Sequence, residues 1–182
     1  MKMTQPSSLA IARGPSGRAM AEPMSVDLLE AIQQHLTMER SASAQYFANS
    51  LWFSERELRG FSHYFKKESE NEQIHAIKFS DYLVARGQSV LLEELRAPVQ
   101  NWNNIEEIFT ASFQLEADVT TSLHQLYAMA EMSSDIRTTV YLDPIIEGQT
   151  SSEDEFAYIL GRVKFADNQP SALLILDSEF RA

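Results

Sequence analysis

Four long stretches of this chain repeat their apolar residues at steps of three and four, the period of an α-helix that buries one face. The first follows Ser25, a good N-cap, carries Asp27 in its first turn and runs to about Ser54. Its stripe is Leu28, Leu29, Ile32, Leu36, Glu39, Ser43, Tyr46, Phe47, Ser50 and Leu51. Gly60 punctuates a short connection, and a second helix spans about Phe61 to Arg86 with Phe61, Tyr64, Phe65, Glu68, Glu72, His75, Phe79, Tyr82 and Leu83 on one face. The third, about Asn104 to Met132, shows Ile105, Ile108, Phe109, Phe113, Glu116, Thr120, Leu123, Tyr127 and Ala130. The fourth begins at the cap signal Ser133-Ser134-Asp135 and ends near Phe165, with a kink expected at Pro144. Its inner face reads Ile145, Gln149, Ser152 or Glu153, Phe156, Leu160 and Val163.

The connections set the topology. Gly87 ends the second helix, and a link of about 17 residues containing Pro98 follows, long enough to cross the length of a bundle. Such a crossover lets the third helix run parallel to the second. Asp167 to Pro170 breaks the fourth helix, and Ser171 to Phe180, with Leu173, Leu174 and Leu176, predicts a short fifth. The expected fold is all-α: a four-helix bundle over residues 25–182 with one long crossover and a short C-terminal helix. No stretch reads as a strand. Residues 1–24 have Lys2, Arg13 and Arg18, no acid before Glu22, and the breakers Pro6, Gly14, Pro15, Gly17 and Pro23. They predict a flexible arm with some resemblance to an organelle transit peptide, while Ser8 to Ala12 is too short an apolar run for a secretory signal.

Composition narrows the function. The 182 residues are 44% hydrophobic, enough for one cored domain. A net charge of -11 argues against nucleic acid and for attraction of cations. No cysteine is present, which excludes disulfides and thiolate metal sites. No apolar run spans a bilayer, so no membrane partner is expected and the chain reads as soluble and cytoplasmic.

The candidate chemistry lies where acids interrupt the apolar stripes. Glu72-Gln73-Ile74-His75 puts a Glu and a His three apart, so both can close on one ion. With 18 Glu and 4 His such a pair arises by chance about 0.4 times, and its weight comes from company. Glu39 and Glu116 also interrupt buried faces, and Gln149 does so on the fourth helix. Ionised carboxylates in an apolar core are costly unless paired or metal-bound. Oxygen donors with one imidazole suit iron or manganese, with zinc as a competitor. Glu72 is placed to bridge two ions, Glu39 and His75 completing one and Glu116 the other. His35, His63 and His124 read as surface or helix-contact residues. Met38, Met129 and Met132 read as packing residues, with no pair among them marking a haem site, so no haem is expected.

Glu39 followed by Tyr46, then Glu72-x-x-His75, Glu116 and Gln149, resembles the non-haem ferritins in order and spacing over about Ser25 to Arg181. The similarity is greatest to the cyanobacterial type, through Asp143-Pro144, Ser152-Glu153-Asp154 and Gly161-Arg162-Val163-Lys164-Phe165. The resemblance implies a ferritin-like bundle whose copies close into a shell of 24 subunits. It implies uptake of ferrous iron, its oxidation in pairs by dioxygen at a di-iron ferroxidase centre within each subunit, and storage as ferric mineral. By position, Glu39, Glu72 and His75 resemble the ligands of the first iron site, and Glu72 and Glu116 those of the second, with Gln149 nearby. Tyr46 matches a tyrosine beside the centre that can hydrogen-bond a ligand and supply an electron. Where many bacterial ferritins have acids for a third iron site this chain has Asn71, Gly148, Ser151 and Ser152, so no third site of that type is expected. Glu68 is a candidate for iron transfer, and Asp143 for an uptake channel where subunits meet. Two other readings fit the same residues: a cage with slow or no ferroxidase activity, and a plain helical bundle whose acids are satisfied internally.

Overall fold

The computed structural model describes residues 11–181, and the leader through Ala10, with Lys2 and Pro6, lies outside it. Five helices follow the predicted order: α1 Val26–Ser54, α2 Arg59–Ala85, α3 Ile105–Met132, α4 Ile136–Phe165 and α5 Pro170–Ser178. Three of them begin at side-chain caps that satisfy amides the helix cannot pair internally. Ser25 Oγ accepts from Leu28 N at 3.3 Å, Asn104 Oδ1 from Glu107 N at 2.9 Å, and Asp135 Oδ1 from Thr138 N at 3.1 Å. At the end of α2, Gly87 takes φ 77°, and the amides of Gly87 and Gln88 return to the carbonyls of Val84 and Leu83. This left-handed C-terminal cap is open to glycine without the Cβ penalty.

The crossover runs up the side of α1. Gln33 Oε1 accepts from Leu91 N at 2.5 Å, Arg40 donates to the Glu93 carbonyl at 3.0 Å, and Gln45 pairs with both the N–H and C=O of Val99 at 2.9 Å. Residue numbers rise together along the two segments, so the link travels parallel to α1. It delivers α3 to the far end, antiparallel to α1 and parallel to α2, as its length requires.

Two apolar clusters fill the bundle. Leu28, Ile32, Leu36, Phe79, Leu83, Leu123, Leu126 and Leu142 pack at one end. Phe53, Phe61, Phe65, Phe109, Phe156, Ile159 and Val163 pack at the other, closed by Leu173 and Leu176 of α5. The acids of the stripes fall in the layer between them. An ion pair nearly sealed from solvent ties the lower ends of α2 and α4, Arg86 holding both oxygens of Asp135 at 2.8 and 2.9 Å.

Three expectations change. Residues 12–13 and 19–20 pair as a short antiparallel ribbon, Ala12 opposite Met20 and Arg13 opposite Ala19, so part of the arm forms strands too short for any alternation to reveal. Phe47 and Leu51, assigned to the buried stripe of α1, face out of the single chain, as does Leu174 of α5. α4 runs as one helix through Pro144, as the sequence predicts. Gly60 lies inside the first turn of α2, where a Cβ would come within 1.7 Å of the Asp177 carbonyl oxygen. The buried Asp177 carboxylate there accepts from Phe61 N at 2.8 Å, pinning α5 to α2. Gly60→Ala must push α5 away and is expected to cost about 1–3 kcal/mol, measurable by denaturant unfolding.

Candidate metal centre

Between the two apolar clusters, α1 and α2 bring three metal-binding side chains to one point. Donor atoms of Glu39, Glu72 and His75 all lie within 4.8 Å of one another, the only such trio of His and acidic residues among the described residues. His75 Nδ1 is 3.1 Å from Glu72 Oε2 and 4.0 Å from Glu39 Oε2. Both carboxylates are buried, while the His75 side chain keeps 33% of its surface exposed. Glu39 Oε2 is buried without a hydrogen-bond partner among the described residues. An unpartnered carboxylate oxygen aimed at an imidazole and a second carboxylate suits a cation and is costly without one.

Glu116 of α3 stands beside this trio and is gripped from two sides. The Tyr46 hydroxyl donates to Oε1, and Gln149 Nε2 donates to Oε2 at 2.9 Å. Gln149 thus enters the site as a donor that orients Glu116, with its amide nitrogen also 3.3 Å from the Glu116 carbonyl. Tyr46 is sealed from solvent between the rings of Phe65 and Phe156. A cleft of about 420 Å³ opens beside the centre, lined by Glu39, His75, Lys78, Tyr141 and Gln149.

The ferritin-like domain model matches residues 29–166, which takes in every one of these side chains. The chain belongs to the ferritin family. It is 24% identical over 159 residues to a bacterial non-heme ferritin of Staphylococcus epidermidis, covering 87% of this chain and 96% of that protein. It is 26% identical over 156 residues to one from Bacteroides fragilis, covering 86% and 97%. Among solved structures, an open pore ferritin from the hyperthermophilic archaeon Archaeoglobus fulgidus is similar with a TM-score of 0.85 at 26% identity, over 88% of this chain and 98% of that one.

Burial dominates the electrostatics of this ferritin's centre. Desolvation raises the carboxyl of Glu39, that of Glu72 to about 7 and that of Glu116 to about 6, and the neighbouring Glu72 charge adds to the rise at Glu116. The His75 imidazole is raised by its hydrogen bond to Glu72. In each case the folded chain holds the proton more tightly than the unfolded one, so stability slopes downward with pH. For Glu72 the loss runs from about 4.5 to about 7, and for His75 it continues above 6.5. The metal-free protein is therefore expected to lose melting temperature as pH rises from 5 to 7. Stabilisation by added divalent metal should grow over the same window, because the ligands shed their protons to bind. Melts with and without zinc across that range check both slopes.

The other sequence candidates divide. Glu68 is buried one turn before Glu72, receives Asn71 Nδ2 at 3.2 Å, and is raised to about 7 by burial, with Glu155 and Glu72 adding to the rise. Its charge is coupled to both the exposed Glu155 and Glu72. Asp143 is away from the trio, on an open groove of about 480 Å³ with His124, Tyr127 and Glu131. Gly148 and Ser152 line the cleft with no charge. His63 and His124 are exposed and His35 is a helix-contact residue, as expected. Its ring is buried, Nδ1 lies 2.8 Å from Ser122 Oγ, and Nε2 lies 2.9 Å from Glu39 Oε1. Burial lowers its pKa to about 4, so the ring is neutral. The signal was its position four residues before Glu39, which puts both on one buried face.

Proposed function

We propose that this ferritin stores iron in a homo-oligomeric cage of 24 subunits in the cytoplasm, oxidising ferrous ions in pairs with dioxygen at the centre built by Glu39, Glu72, His75 and Glu116. The observation that carries the reading is the convergence of the Glu39, Glu72 and His75 donors around an unpartnered carboxylate oxygen, beside a fourth carboxylate held in place by Tyr46 and Gln149. Iron is the substrate. Glu39 and His75 hold one ferrous ion, Glu116 the second, and Glu72 lies between the two positions. Each ion gives up one electron, and the two electrons together take one dioxygen to the peroxide level. Few protein donors per ion leave positions free for oxygen or water. Tyr46 donates a hydrogen bond to Glu116 and is a redox-capable side chain in direct contact with a ligand of the centre. Glu68 passes ions between the centre and Glu155, and Asp143 lines an uptake route where subunits meet.

Self-assembly is supported by the outward apolar residues of the single chain. Phe47 and Leu51 on α1 and Leu91, Leu92 and Val99 on the adjoining crossover make a surface suited to a second copy. No described helix is long and apolar enough to cross a membrane. Storage is tested by adding ferrous salt aerobically and passing the product over a sizing column. Iron co-eluting with protein at the mass of a closed shell, far in excess of the ligand sites, is the expected result. Iron precipitating free of a small oligomer rules storage out.

A further inference from the structure

The cleft beside the centre combines metal donors, apolar walls and one cation. Glu39 and His75 both line it, so a metal ion held by the two would face its interior. Most of the remaining lining is apolar, with Phe79 from α2 and Val140, Pro144 and Ile145 from α4. Tyr141 belongs to this wall and is firmly set. Its ring stacks on Tyr82 with centroids 3.9 Å apart and meets Phe79 edge to face at 5.6 Å. Tyr82 is anchored in turn, its hydroxyl 2.7 Å from both Thr138 Oγ1 and Arg86 Nη1. The wall is therefore formed before any ligand arrives.

The charges of the cleft run against those of the chain. Net charge is -11, yet Glu39 is the only acid in the lining. Lys78 is exposed there and makes no ion pair among the described residues. A metal-bearing cleft with one free ammonium group suits an anion. Gly148 also lines it, inside α4, where glycine is less favourable than alanine. A Cβ at Gly148 would touch nothing within 4 Å, so no packing within the single chain calls for glycine, and its lack of a side chain keeps the cleft open. The volume of about 420 Å³ falls within the roughly 300–1,000 Å³ common to small-molecule sites, which also join apolar walls to a few polar groups.

We propose that this cleft binds a small anionic chelator, a flat ring bearing two adjacent oxygen donors, of the tropolonate or hydroxypyranone class. The proposal rests on the metal-centre reading above. The two oxygens close on the metal held by Glu39 and His75, a site suited to oxygen donors. The ring lies among Phe79, Val140, Tyr141 and Ile145, and Lys78 meets the negative charge. Such a ligand competes with dioxygen and water for the first iron.

The test uses the full-length assembled protein loaded with zinc, which stands in for iron without redox chemistry. Tropolone is titrated in, its near-ultraviolet absorption reports coordination, and zinc is counted in the protein fraction. Saturation at about one tropolone per chain, with zinc retained, is the expected result. Gly148→Leu fills the cleft without touching a metal donor, and should weaken tropolone by about ten-fold or more at unchanged zinc content. Lys78→Glu should weaken it by about five-fold. Lactate has the same charge and two adjacent oxygens but no ring, so the preference for tropolone over lactate should be greater on the protein than on zinc in water. Zinc retained without bound tropolone, or zinc stripped into solution, overturns the proposal. Equal tropolone binding by Gly148→Leu, or the same preference over lactate as in water, also overturns it. If Gly148→Leu does not assemble, Lys78→Glu decides, and wild-type affinity there overturns it. Wild-type protein that binds no zinc contradicts the metal centre itself.

Discussion

Glu72→Ala is expected to lower the initial rate of ferrous oxidation by on the order of 100-fold, since loss of a mere outer partner of a metal ligand already costs about 10–100-fold. In the proposed centre Glu72 has the largest effect because it would serve both metal positions, being 3.1 Å from His75 on one side and electrostatically coupled to Glu116 on the other. The same substitution is expected to stabilise the metal-free fold at neutral pH. Burial raises the Glu72 carboxyl to about 7, so the ionised form is disfavoured in the core, and its removal relieves on the order of 1–3 kcal/mol. Part of that gain is lost to the cavity left behind, and Glu72→Gln separates the two contributions. Opposite signs for activity and stability identify a residue kept for its ligand role. A structural acid would lose stability when removed and leave oxidation unchanged. Stopped-flow absorbance after mixing with oxygen, alongside thermal melts of the metal-free proteins, reads both.

The second large effect is expected at Glu116. Glu116→Ala removes the carboxylate that α3 would bring to the proposed second position, and the fast phase should disappear, with a rate loss again on the order of 100-fold. Here the first position should survive, because Glu39, Glu72 and His75 come from α1 and α2 alone. Anaerobic binding is therefore expected to fall by about one ion per chain, with the remaining ion unable to complete a two-electron reduction. Tyr46→Phe keeps the carboxylate and removes one of its two donors. Its cost is expected to be smaller, about 1–3 kcal/mol of folding stability from an unpaired buried acceptor together with slower oxidation. Binding isotherms under nitrogen, compared with single-turnover rates, distinguish a lost position from a disordered one.

The helices and the centre were legible in the sequence for one reason, which is that each polar interruption of an apolar stripe had a definite phase. Glu39, Glu72, Glu116 and Gln149 fall on buried faces at matching depths, and the bundle brings them into one layer. What the stripe could not show is which partner each group meets across helices. The ordinary spacing of His35 concealed its contact with Ser122, 87 residues away. The Arg86–Asp135 pair joins residues 49 apart and depends on the end of α2 meeting the cap of α4. Gln149 was visible as a polar residue on the inner face of the fourth helix, but its role as a donor to Glu116 required the position of α3. Gly60 looked like a turn signal because glycine serves both turns and close approaches, and only the Asp177 backbone decides between them. Phe47 and Leu51 follow the helical period too, yet they face away from the single chain, because periodicity does not say whether a face is covered by the same chain or by another.

The most direct test of the centre is an anaerobic ferrous titration of the intact protein and of Glu72→Ala, read by equilibrium binding. Saturation near two ions per chain in the intact protein, falling to less than about one in the variant, is the expected result. Equal binding by the two proteins, or no binding by either, contradicts a metal centre at Glu39, Glu72, His75 and Glu116.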